Sequence, residues 1–374
     1  MIYFDNAATG GFKPRAVSDA VCTVMRYLCA NPGRSGHRLS LVGAEILQNT
    51  RSFLADYFGA KEDHVIFTKN CTEALNLAIF GSLKSGGHVI TTVLEHNSVL
   101  RPLTALKEKG LIELDVVSER GYSSLYEAVL DKIKPNTYLI AITAVSNVTG
   151  EKTPFEKLGK LARERGILLL VDGAQGGGHV PINLEAHGIS MLALAGHKGL
   201  YGIMGSGVLI FDENVELSPL LYGGTGSESF NLNQPKALPE RLEAGTLNLP
   251  AIAGLFEGAK FIKSNQEIFA RHLYSYTEFL ITALNKMDGV TVYSKPNSSG
   301  IVSFKLNDMP SNEVADLLNS EYDIAVRGGF HCAPLIHKYL NTQDDGLVRA
   351  SLAVQNSTRE INFFIRSIDN IIKR

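Results

Sequence analysis

Between residues 60 and 211, short and strongly apolar runs alternate with amphipathic stretches of helix length. That alternation is the pattern of βα units wound on a mostly parallel sheet. The strand candidates are 65–68, 88–93, 114–117, 138–144, 167–172, 191–195 and 207–211. Several are apolar at every position, as strands covered on both faces must be. Segments 72–80, 99–109, 123–132 and 155–165 have helical composition, and upstream of them Leu47, Leu54, Tyr57 and Phe58 fall on one helix face as a core-packing stripe. A long helix around 251–262 changes the pattern to α+β, with strands at 290–293 and 301–306 and helices at 313–318 and 359–372. The expected architecture is α/β: a large domain over 15–255 with a mostly parallel central sheet, and a smaller α+β domain made of 1–14 and 256–374. A chain of 374 residues has the length for two such units.

Composition closes off other classes. With 45% apolar and 20% charged residues the chain is neither disordered nor a coiled coil. Lys and Arg number 36 against 38 Asp and Glu, a net charge of −2 that offers no basic field to a polyphosphate backbone. No nucleic-acid partner is expected. No apolar run approaches the ~18 residues that span a bilayer, and the opening MIYFDNAATGGFKP lacks a basic region leading into an apolar stretch. A soluble, cytoplasmic protein without a membrane partner is expected. The four cysteines, Cys22, Cys29, Cys71 and Cys332, are scattered with no C-x-x-C spacing, so neither a disulfide framework nor a metal site is expected. Cys22 and Cys29 read as small packed hydrophobes.

Asp172 follows the apolar run 167–171 and so ends a strand, where open α/β sheets bind ligands. An Asp there is also a common helix cap. What changes its meaning is Lys198, on the glycine-flanked turn Ala195-Gly196-His197-Lys198-Gly199 after another apolar strand, a placement that packing explains poorly. A strand-terminal Asp and a strand-terminal Lys are what pyridoxal 5′-phosphate needs: the carboxylate holds the pyridinium proton and the amine forms the Schiff base. The strand-to-helix junction Phe67-Thr68-Lys69-Asn70-Cys71-Thr72-Glu73 has capping-box spacing between Asn70 and Glu73, which aims the free amides of Cys71 and Thr72 at an anion. Alone, such a junction is an ordinary helix start.

The ordered segments FTKNCTEALNLAI, LEHNSVL, SNVTG, VDGAQ, GHK, RLEAGT, AVRGGFHCAPL and VRASLAVQNST resemble the class V aminotransferase fold, the fold type I of pyridoxal phosphate enzymes, and within it the cysteine desulfurases and selenocysteine lyases with a compact catalytic loop. The resemblance runs nearly end to end. It implies Lys198 as the Schiff-base lysine, Asp172 at the pyridine nitrogen, Gln175 at the phenolic oxygen, and Asn147 near that oxygen and the substrate carboxylate. It further implies His96 stacked on the ring and assisting proton transfer, with the Cys71 amide, Thr72 and His197 on the phosphate. Thr225, in Tyr222-Gly223-Gly224-Thr225-Gly226-Ser227, is implied at the phosphate of the partner subunit of a homodimer. His37 and Arg38 are assigned to the entrance. One departure stands out: the family's S-G-H-K is here Ala195-Gly196-His197-Lys198, which removes a hydroxyl that Ser227 or a water would have to replace.

Cys332 separates this reading from a generic transaminase. It lies in Arg327-Gly328-Gly329-Phe330-His331-Cys332-Ala333-Pro334, a tight loop by its glycines and proline, with Arg327 as a positive charge that favours thiolate. The family places its sulfur-accepting cysteine in this context. His331 either tunes the thiol or closes the loop. Arg349, on an expected strand, matches the family's clamp for the substrate α-carboxylate, a task suited to a planar fork, with Arg327 supporting it; a surface ion pair is the plainer alternative for both. The resemblance therefore implies conversion of L-cysteine to L-alanine, with the sulfur held as a persulfide on Cys332 for an acceptor protein. Selenocysteine lyase is the alternative, ahead of a transaminase or a non-catalytic scaffold.

Overall fold

The computed structural model describes residues 1–28, 30–33, 35–307 and 309–373, which leaves Cys29 and Arg34 outside the described residues. The strands, in chain order, are β1 (Ile2–Tyr3), β2 (Val65–Thr68), β3 (Gly87–Thr92), β4 (Ile112–Val117), β5 (Thr137–Thr143), β6 (Leu168–Asp172), β7 (Met191–Ala195), β8 (Gly207–Phe211), β9 (Val290–Val292), β10 (Ile301–Leu306), β11 (Ile324–Ala325) and β12 (Val348–Ser351). Among the described residues β2 to β8 form a seven-stranded sheet in the order β2-β8-β7-β6-β5-β3-β4. The pairs of β3 with β4 and β5, of β5 with β6 and of β6 with β7 are parallel, and β8 alone runs against its neighbours.

Alternation along each strand explains why these segments are apolar throughout. Leu169 and Val171 of β6 face one core with Ile140, Ile142, Leu192 and Leu194, while Leu170 faces a second core with Leu139, Ala141, Met191 and Ala193. The first core is closed by Leu54 and Phe58, with Leu47 and Tyr57 packed at its rim, all from the helix Arg38–Phe58. The helix Cys71–Gly81 covers the second with Leu75, Leu77 and Ala78. β4 is an edge strand, and its Val116 is correspondingly exposed.

A third core lies under the antiparallel sheet β12-β10-β9 and the helices Gln266–Leu284, Ser311–Tyr322 and Thr358–Ile372. The chain's first residues join it: β1 pairs parallel with β11, and Phe4 is fully buried there. The helix Leu249–Lys263 runs unbroken past position 255, and Ala259 and Ile262 still pack into the first core. Of the elements that the sequence reading did not include, the longest are the helices Arg15–Tyr27 and Gln266–Leu284. In the former only Val17 and Val24 are buried, which leaves Cys22 exposed rather than packed. The expectation of a packed Cys22 fails because it sits off the seven-residue stripe that meets the neighbouring helix.

Candidate active site

β2, β3, β5, β6 and β7 run in one direction and deliver their carboxyl ends to one sheet edge, where loops supply the chemistry. Eight expected residues, Cys71, Thr72, His96, Asn147, Asp172, Gln175, His197 and Lys198, line one cavity of about 110 Å³ there. Ala195 lines it too, and so does Ser98, whose Oγ lies 2.8 Å from Thr72 Oγ1. Ser227 instead pairs with Thr225 in an exposed loop. Ser98 Oγ, also 2.9 Å from His96 Nδ1, thus adds a hydroxyl beside Thr72 at the cavity wall.

The helix Cys71–Gly81 is capped by Asn70, whose Oδ1 accepts the Glu73 N–H at 2.9 Å. Glu73 returns its carboxylate one residue further back than a capping box requires, to the Lys69 N–H at 2.7 Å. Among the described residues the first-turn N–H groups of Cys71 and Thr72 therefore keep no partner in the chain. With the Thr72 and Ser98 hydroxyls and His197 they form a donor set that suits an anion.

Asp172 is buried, and its Oδ1 accepts the Ala174 N–H at 2.9 Å and faces the Cys71 thiol at 3.6 Å. Oδ2 has no hydrogen bond among the described residues, so the carboxylate has capacity for a cationic or protonated nitrogen. Burial pushes the Lys198 ammonium down from its ordinary value, with the Asp172 charge opposing. An amine held this way is easily made nucleophilic. Donors for an anion at one end and an open carboxylate with a lysine at the other fit the two ends of pyridoxal 5′-phosphate.

His96 caps the helix Asn97–Glu108, its Nδ1 accepting the Ser98 N–H at 3.0 Å. Burial pushes its imidazole down despite Asp172, so the ring is neutral with its proton assigned to Nε2. The loop of Cys332 is pinned through its backbone: Asn97 N–H donates to the Cys332 carbonyl at 2.7 Å, and Asn147 Nδ2 to the His331 carbonyl at 2.8 Å. His331 and Cys332 both adopt left-handed φ, at 52° and 57°, a cost these carbonyl anchors help to meet. Cys332 is exposed, and Arg327 Nη2 lies 3.8 Å from its Sγ.

Arg349 is 1% exposed and is no surface ion pair. Nη1 donates to the Asn147 carbonyl and Nη2 to Asp5 Oδ1, each at 3.0 Å, while Nε is buried without a partner. Its backbone bridges antiparallel to Arg327, so the two guanidinium-bearing residues are locked side by side. Three expected residues lie elsewhere. Thr225 borders a separate pocket with Arg51 and Glu243, and His37 and Arg38 start the helix Arg38–Phe58, exposed.

Sequence reasoning passed over the N-terminal segment, which here wraps the lysine turn. Gln175 Nε2 donates to the Ala7 carbonyl at 2.8 Å, Thr9 Oγ1 lies 3.0 Å from His197 Nδ1, and Lys13 Nζ donates to the His197 carbonyl at 2.9 Å. Burial brings Lys13 to about 8 and, with the charges of Lys198 and Lys13, His197 to about 4. Glu95 was also missed: it is fully buried, takes the Thr92 hydroxyl at 2.7 Å on Oε1, and leaves Oε2 unpartnered. Burial, aided by the Asp172 charge, raises it to about 8, against a smaller lowering by the Thr92 hydroxyl. Neither feature has a periodicity or spacing that announces it.

A sequence model of the family described as aminotransferase class-V matches residues 2–364. A probable cysteine desulfurase of Methanothermobacter thermautotrophicus is 32% identical, covering 99% of this chain and 94% of its own length. Among solved structures, an apo cysteine desulfurase from Thermococcus onnurineus is similar with a TM-score of 0.92 at 32% identity, covering 100% of this chain and 94% of the other. The cysteine desulfurase CsdA of Escherichia coli, in an S-sulfonic acid form, is similar with a TM-score of 0.88 at 26% identity, covering 99% and 94%.

Proposed function

Because the chain belongs to the class V aminotransferase family, we propose that it is a pyridoxal 5′-phosphate-dependent cysteine desulfurase that converts L-cysteine to L-alanine and keeps the sulfur as a persulfide on Cys332. The observation that carries this reading is the placement of an exposed thiol, 3.8 Å from Arg327 Nη2, on a loop tied by its own carbonyls to the helix behind His96 and to Asn147. A transaminase would need Lys198 and Asp172 and have no use for that thiol.

When bound, the cofactor supplies an electron-withdrawing ring that acidifies the substrate Cα–H. Lys198, Asp172, Gln175 and Asn147 would hold it at one end, and the Cys71 and Thr72 amides with Thr72, Ser98 and His197 at the other. Asp172, with Oδ1 occupied, would use Oδ2 to hold a proton on the ring nitrogen. Lys198 Nζ removes the substrate Cα proton, a role its lowered pKa suits. Arg327 and Arg349, the latter held in place by Asp5 and the Asn147 carbonyl, orient the α-carboxylate. The Cys332 thiolate attacks the substrate sulfur: an S–S bond forms and the Cβ–S bond breaks with its electron pair moving to carbon; a proton delivered to Cβ and the return of a proton to Cα from Lys198 Nζ complete alanine. His96, its Nδ1 engaged by the Ser98 N–H, keeps Nε2–H to hydrogen-bond to the bound substrate.

Residues 15–255, with the rest of the helix Leu249–Lys263, would act as the cofactor-binding unit, and 1–14 with the chain after that helix as the unit that carries the Cys332 loop. We place the active form as a homodimer: Tyr222, Phe230 and Leu232 stand exposed on the segment that bears Thr225, an apolar surface that suits a second copy. Among the described residues no helix is long and apolar enough to cross a membrane, and the free thiols of Cys22, Cys71 and Cys332 suit a reducing cytoplasm. An acceptor protein would then collect the persulfide sulfur.

The test is to incubate the protein, loaded with pyridoxal phosphate, with cysteine and to measure alanine alongside peptide mass spectrometry. Alanine with an added sulfur on the Cys332 peptide is expected. Cysteine turnover that never marks Cys332 overturns the reading, and turnover of selenocysteine alone replaces it with a lyase.

A further inference from the structure

The start of the helix Cys71–Gly81 is set by packing. A Cβ on Gly207 would stand 2.3 Å from the carbonyl carbon of Asn70, so β8 presses its backbone against the cap and fixes where the next residue sits. That residue, Cys71, is 8% exposed, in an apolar cluster with Leu75, Ala195 and Leu209. Its Sγ nevertheless faces a polar group, Asp172 Oδ1, at 3.6 Å. The same oxygen takes the Ala174 N–H at 2.9 Å, so donors from the helix start and from the loop after β6 hold one carboxylate oxygen and leave the other open. Burial first, and then the Asp172 charge, push the thiol well above its ordinary range. Cys332 has the reverse surroundings, exposed and beside a guanidinium.

We propose that Cys71 is a positioning residue for Asp172 and a silent thiol: its S–H holds Oδ1 so that Oδ2 meets the ring nitrogen, and substrate sulfur goes to Cys332 alone. The consequence for turnover rests on the cofactor assignment above; the contact itself does not. A thiol lost from this position frees the carboxylate to rotate and to bind its proton differently. The effect therefore reads out in the cofactor's electronic state as well as in rate.

Three forms decide it: wild type, Cys71→Ala and Cys71→Ser, each loaded with pyridoxal phosphate and titrated with pH while the visible absorption band is followed. In Cys71→Ala the midpoint of that titration moves, and kcat falls about three- to tenfold at unchanged KM, the scale of one ordinary hydrogen bond, as suits a weak S–H donor. Cys71→Ser, which keeps a donor, returns both toward wild type. A wild-type midpoint and kcat in Cys71→Ala overturn the proposal, as does a persulfide found on Cys71. A second arm uses cofactor-free protein and iodoacetamide: Cys71 labels more slowly than Cys332, and several-fold faster once Asp172→Asn removes the adjacent charge. If wild type shows no visible band with pyridoxal phosphate, the cofactor assignment fails, and this arm still decides the contact. Equal Cys71 labelling in wild type and Asp172→Asn overturns it.

Discussion

Replacing Glu95 by Gln should make the protein's stability less dependent on pH. Glu95 is fully buried, and its carboxyl is raised from an ordinary 4.5 to about 8. The unfolded chain therefore releases this proton as pH rises through the window from about 4.5 to 8, while the folded chain retains it, so stability is full below the window and is lost across it. Each pH unit in the window costs about 1.4 kcal/mol, which gives about 3 kcal/mol lost near neutrality and about 5 kcal/mol above the window. Gln keeps the acceptor that receives the Thr92 hydroxyl and has no proton to lose. It adds an amide N–H pair in a site where Oε2 had no partner, a penalty that is constant with pH. The assay is the urea midpoint of wild type and Glu95→Gln measured from about pH 5 to 8.5. Neighbouring histidines titrate in both and cancel in the difference, so the variant should gain on wild type steadily with pH. An infrared carboxylic-acid band present at neutral pH in wild type and absent in the variant gives an independent check. Parallel midpoints across the range, or no such band, would refute the idea that this carboxyl stays protonated. Adding Asp172→Asn should lower the Glu95 pKa and flatten the wild-type curve, because the Asp172 charge is part of its cause.

Lys198→Ala should abolish the visible chromophore with pyridoxal phosphate, since among the described residues no other lysine lines the cavity with Asp172; a retained band contradicts the assignment. Cys332→Ala should bind cysteine and release almost no alanine, whereas selenocysteine turnover partly survives because its C–Se bond breaks more easily; full desulfurase activity would sink the role. Arg349→Lys cannot hold Asp5 and the Asn147 carbonyl together, so KM for cysteine should rise at least about tenfold, consistent with loss of a charge-assisted fork, and an unchanged KM speaks against a carboxylate clamp. Glu243→Ala strands the buried Arg51, paired at 2.9 Å, and should cost about 3–5 kcal/mol in denaturation, the scale of a broken buried pair.

Periodicity alone was enough for the sheet. Runs such as 65–68, 191–195 and 207–211 coincide with β2, β7 and β8, because a strand buried on both faces must be apolar at successive positions and little else in a soluble chain is. Asp172 and Lys198 were legible for a related reason: Asp172 ends one such strand and Lys198 lies on the short turn after another, and local sequence already tells which edge each reaches. Cys332 was legible by its neighbours, whereas the anchors that hold its loop come from Asn97 and Asn147, far away in sequence. The same distance hid the N-terminal residues around His197, Ser98 as the hydroxyl near Thr72, and Glu95 and Cys71 beside Asp172. Their significance lies in burial and in what stands opposite them, and neither exists until the sheet brings the loop ends together. Residue identity and local period determine which strands form and where they end; partner, exposure and proton affinity are properties of the packed edge, decided only by tertiary structure.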